Sequence, residues 1–76
     1  LRQRRETDKA VRVLKDMVRR GVPYRDAYLL LGAIHLERRE LEAAAGVYRS
    51  ACDNAGLTQE ERDVFRTRLR RVEQGL

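Results

Sequence analysis

The side chains with the widest chemical reach in this 76-residue chain are His35, Cys52 and the acids Glu60, Glu61 and Asp63. A catalytic histidine needs an acid or thiol spaced to work with it. None accompanies His35, so a histidine packed between helices is the expected role. Cys52 would need a base and an oxyanion site to act as a nucleophile, and with neither in view it is expected to be a small core residue. The three acids gather where a helix reads as starting, and carboxylates there complement the positive end of the helix dipole. No glycine-rich phosphate loop and no Cys/His ligand spacing occurs. No cofactor or metal is therefore expected, and the chain does not read as an enzyme.

The other chemically suggestive feature is charge. The chain carries a net charge of +5, and fifteen of its seventeen basic residues are arginine. Residues 1–20 hold eight bases against three acids, whereas the rest is nearly balanced. Arg2, Arg4, Arg5, Lys9, Arg12, Lys15 and Arg19 are thus the candidates for contact with an anion or nucleic acid. Glu6, Asp8 and Asp16 interrupt them, and no aromatic platform for stacking bases lies alongside. Nucleic-acid binding is the rival reading, and a solvated helix face is the expected one.

These residues must be positioned by helices. Hydrophobic residues make up 42% of the chain and charged residues 38%, with one proline, a mixture that suits amphipathic helices. The first helix is expected over residues 6–20, with Thr7 or Asp8 as its cap. Its apolar face joins Ala10, Leu14, Met17 and Val18, widened by Val11 and Val13. Gly21 and Pro23 stop it. A second helix, residues 25–38, is apolar nearly all round in AYLLLGAIHL and so must be covered on several sides. A third, residues 41–54, carries a stripe of Leu41, Ala44, Val47, Tyr48 and Ala51. Its connection to the second is short enough to make the two antiparallel neighbours. A fourth, residues 59–74, opens on a capping box of Thr58 and Glu61. Its apolar stripe is Phe65, Leu69, Val72 and Leu76, and arginines crowd its end. The longest apolar run, Ala27–Leu36, is too short to span a bilayer. The chain begins at Leu1 rather than Met, so a fragment or processed product of a longer protein is expected, and the compartment is left open.

Tyr28, Leu31, Gly32 and His35, followed by Ala44, Tyr48 and Ala51, resemble the tetratricopeptide repeat pattern over residues 25–58. His35 stands where that family has Tyr, and Gly56 where it often has Pro. One repeat length, about 34 residues, carries Ala44 back to Ala10 and Leu31 forward to Phe65. The first helix then resembles the second half of a preceding unit, and the fourth the first half of a following unit or a solvating cap. The resemblance implies an all-α fold: four antiparallel helices stacked as a short right-handed tetratricopeptide-like α-solenoid, in a single domain over residues 1–76. Gly32 and Ala44 would allow close approach of the central helices.

The resemblance also implies a function. Such stacks bind proteins on a concave face lined by the first helix of each unit. That face would present Asp26, Leu29, Ala33 and Leu36 from the second helix, and Glu60, Asp63, Thr67 and Arg70 from the fourth. An amphipathic helix or extended apolar peptide of a partner protein fits such a groove. Some members clamp a terminal carboxylate with Lys and Asn, groups that Leu29 and Ala33 do not supply. A third reading is self-association, as a homodimer through the outer apolar sides of the first and fourth helices.

Overall fold

The structure, a computed structural model, describes the backbone of residues 2–76 and the side chains from residue 6 onward. The described residues are all-α: helices α1 (Arg2–Arg20), α2 (Arg25–Glu37), α3 (Leu41–Cys52) and α4 (Gln59–Gly75). α1 starts four residues before the expected position 6, so Thr7 and Asp8 lie inside it rather than capping it. The segment Arg-Gln-Arg-Arg-Glu contains no breaker and mostly strong helix formers, so nothing stops the helix from extending back. α1 ends as its sequence predicts. Gly21 takes a left-handed φ of 71°. The Gly21 N–H donates to the Val18 carbonyl at 3.0 Å and the Val22 N–H to that of Met17 at 3.1 Å. These are the paired closing bonds of a glycine-terminated helix.

α2 closes in the same way without a glycine. Arg39 adopts a φ of 60°, its N–H donates to the Leu36 carbonyl at 3.0 Å, and the Glu40 N–H to that of His35 at 2.8 Å. α3 ends at Cys52, two residues earlier than expected, because Asp53 and Asn54 turn away to serve the α3–α4 connection. The capping box of α4 is formed: Thr58 Oγ1 accepts from the Glu61 N–H at 3.1 Å, and Glu61 Oε1 accepts from the Thr58 N–H at 2.8 Å. The last turn of α4 carries no base, so the arginine group stops a turn short of the helix end.

Successive helices run antiparallel. Asp8, early in α1, pairs with Arg38 just past α2 at 2.8 Å. Asn54, after α3, bonds to Tyr28 near the start of α2. Cys52 and Arg62 meet where α3 ends and α4 begins. Each helix packs chiefly on its neighbours in sequence, with a smaller contact of α1 on α3. The molecule measures 38 × 27 × 15 Å.

The core lies between α2, α3 and α4. Tyr28, Leu31, Tyr48 and Phe65 are fully buried, and each such side chain contributes about 1.5–3 kcal/mol on leaving water. Phe65 meets Tyr28 edge-on, with centroids 5.8 Å apart, and Tyr48 at a tilt, 6.0 Å away. Ala27, Ala44 and Ala51 are completely covered. α1 adds Val11 and Leu14 to the core, with Met17 and Val18 beside them, while Ala10 and Val13 face solvent. The helix is thus rolled so that its expected apolar face is only partly covered. Gly32 does admit a close neighbour, and that neighbour is the Tyr48 ring: a Cβ at position 32 would fall 2.5 Å from a ring carbon.

Candidate functional site

An open concavity lies at the C-terminal end of α2 and along the second half of α4. Leu36, Tyr48, Val64, Thr67, Arg68, Arg71 and Val72 line an open hollow of about 420 Å³. The positions follow from the core. Phe65 and Val72 are drawn inward, which fixes the rotation of α4 and leaves Val64, Thr67, Arg68 and Arg71 on the flank facing α2. Leu36 reaches the hollow from the last turn of α2, and Tyr48, buried beneath it, closes the floor from α3. Leu36 and Val64 remain 36% and 45% exposed, so the aliphatic lining is open to solvent rather than part of the core.

The electrostatics of the hollow are one-sided. Among the described residues neither Arg68 nor Arg71 pairs with a carboxylate, and the same holds for Arg62 and Arg70, while Arg66 lies 3.6 Å from Asp63 and Glu73 lies 3.6 Å from Arg49 of α3. Among the described residues the lining holds no acid.

Of the residues expected along a concave face, the structure brings only Leu36 and Thr67 into this hollow. Asp26 pairs with Arg25 at 3.5 Å and accepts a 3.4 Å bond from the Tyr24 hydroxyl. Leu29 is half-buried against the core, and Ala33 is exposed. Glu60, Asp63 and Arg70 are exposed, and Asp63 accepts from the Gln59 amide at 2.9 Å. The sequence reading did not include Tyr48, Val64, Arg68, Arg71 or Val72 in the site. The signal for them was the register of α4 about Phe65: Val64, Arg68 and Arg71 share a face at i, i+4 and i+7.

The side chains of Arg2, Arg4 and Arg5 lie outside the described residues. Of the other basic candidates, Lys9, Arg12, Lys15 and Arg19 are all exposed on α1. Asp16 stands among them and holds Arg19 at 2.6 Å and Arg20 at 3.0 Å.

His35 is buried, as a packing histidine should be, yet it has an acid partner that spacing alone did not reveal. Its Nδ1 lies 2.8 Å from Glu40 Oε1, because the left-handed turn at Arg39 folds Glu40 back over the end of α2. That hydrogen bond holds the Glu40 carboxyl below its ordinary range. Cys52 is half-buried, with its Sγ 3.9 Å from the Arg62 carbonyl. Burial pushes its thiol above the usual value, away from the reactive thiolate. Hydrogen bonding to the Thr58 backbone likewise lowers the Glu61 carboxyl, which is committed to the cap. Among the described residues no three His, Cys, Asp or Glu side chains are placed to hold a metal ion. No helix there is long and apolar enough to cross a membrane.

Comparison of the chain with protein-family models, with curated proteins and with solved structures gives no match. The functional reading therefore rests on the hollow and the helices that frame it.

Proposed function

We propose that the chain is a protein-interaction module, a short tetratricopeptide-like stack that takes a segment of a partner protein into the hollow between α2 and α4. The observation that carries this reading is the solvent-open aliphatic lining at Leu36 and Val64, set over the buried ring of Tyr48. Apolar side chains that frame a concave surface gain most when a partner's side chains displace water from them. The tetratricopeptide reading draws on the packing of helices in chain order and on the burial of Tyr28, Gly32, Ala44, Tyr48 and Ala51. One repeat length, about 34 residues, also carries buried Leu31 to buried Phe65 and buried Tyr48 to buried Leu14. Nucleic-acid binding through α1 has weaker support, since Asp16 neutralises part of that face.

Selection of a random peptide display library on the folded chain tests the proposal. Binders should be recovered that no longer bind a Leu36→Glu/Val64→Glu variant of unchanged helicity. Equal binding to both proteins would remove the hollow as the recognition surface.

A further inference from the structure

Resting on that reading, we infer that the occupant of the hollow is an acidic amphipathic helix of the partner, with its apolar side chains on the Leu36–Val64–Val72 lining and its carboxylates on Arg68 and Arg71. The inference comes from charge complementarity. Two arginines one turn apart stand on the rim with no carboxylate among the described residues paired to them, and the lining they share with Leu36 and Val64 holds no acid to meet them. A carboxylate brought in by a partner would be the first that these guanidiniums meet, and the guanidinium fork suits it in two-point geometry. The i, i+3 spacing of Arg68 and Arg71 matches carboxylates one turn apart on a facing helix. The same helix would carry aliphatic residues at i, i+3 and i+4 to fill the hollow. A nucleic-acid strand fits less well. The lining between the arginines and Leu36 is aliphatic, and the only aromatic ring, Tyr48, is buried and offers no exposed face for stacking a base. The acids invoked are side chains within the segment, so the chain terminus of the partner plays no part.

The test uses the same selection, with C-terminally amidated peptides made from the sequences recovered. Peptides that depend on Leu36 and Val64 should be rich in Asp and Glu at helical spacing. Their affinity should fall about tenfold at low ionic strength for an Arg68→Glu/Arg71→Glu variant. Replacing the peptide's acids by Lys should restore binding to that variant. An Arg68→Gln/Arg71→Gln protein, which adds no new charge, serves if the reversal disturbs folding. Hollow-dependent peptides that are neutral or basic and indifferent to either arginine variant would overturn the inference while leaving the proposed function standing. The absence of any hollow-dependent peptide would overturn both. So would a duplex or single-stranded oligonucleotide that binds through Arg68 and Arg71 while no peptide does.

Discussion

Gly32 of α2 lies beneath the ring of Tyr48 in α3, so close that a Cβ there would sit 2.5 Å from Cε1 and 2.6 Å from Cζ. The Tyr48 ring is fully buried and tilted against Phe65, so it has little room to yield. Overpacking at such a site costs about 1–3 kcal/mol, and the better helix propensity of alanine returns up to about 1 kcal/mol. Gly32→Ala should therefore destabilise the fold by about 1 kcal/mol. Gly46 is the control, since a Cβ there meets nothing within 4 Å, and Gly46→Ala should stabilise by about 0.5–1 kcal/mol. Urea titration of the two variants checks the opposite signs.

A second relationship ties the connections together. Asn54 Nδ2 donates to the Tyr28 hydroxyl at 2.7 Å and to the Gly21 carbonyl at 3.2 Å, while its Oδ1 accepts from the Gly56 N–H at 2.9 Å. One amide thus fastens the α1–α2 turn, α2 and the α3–α4 turn. Asn54→Ala should cost about 1–3 kcal/mol, because it leaves the hydroxyl of buried Tyr28 without its partner, and Tyr28→Phe about 0.5–1.5 kcal/mol. A double-mutant cycle measured by thermal unfolding should show the two changes to be non-additive. Strict additivity would mean that the short contact contributes no coupling.

Arg39 closes α2 in a conformation that L side chains rarely adopt, at φ 60°. The left-handed region costs a non-glycine residue about 1–2 kcal/mol. Arg39 is exposed, so Arg39→Gly should raise stability by up to about 1 kcal/mol after the unfolded-state entropy of glycine is deducted. A lower melting temperature in this variant would show that the arginine contributes something the turn geometry does not reveal.

Acid sensitivity follows from two carboxyls. Glu40, hydrogen-bonded by His35, and Glu61, hydrogen-bonded by the Thr58 backbone, are both held below the ordinary value of 4.5. A carboxyl depressed in the folded state contributes stability that is complete above its unfolded value and is lost as pH falls through its folded value. Melting temperature should therefore decline as pH drops below about 4.5, and Glu40→Gln should flatten the decline. Thr58→Ala removes the cap as well and should cost about 1 kcal/mol at neutral pH.

The sequence by itself determined the helices and much of the core. Apolar periodicity marked all four, Gly21 fixed the end of α1, and Thr58 with Glu61 fixed the start of α4, because these signals act within a few residues of one another. It also marked Tyr28, Gly32, Ala44, Tyr48 and Ala51 as contact residues, and all are buried. What only the tertiary structure decided is how each helix is rolled about its axis. The stripe of Phe65 and Val72 was legible along α4, but which flank of that stripe meets Leu36 of α2 is a packing outcome that spacing along α4 cannot supply. That packing turns Asp63 and Arg70 away from the hollow and brings Val64, Arg68 and Arg71 to it, while Glu60, on the same face as Val64, stays outside because it lies a turn nearer the start of α4. The fold likewise set Glu40 against His35 and Asn54 against Tyr28. Such pairings depend on turns and on contacts between helices, which a pattern read along a single helix does not contain.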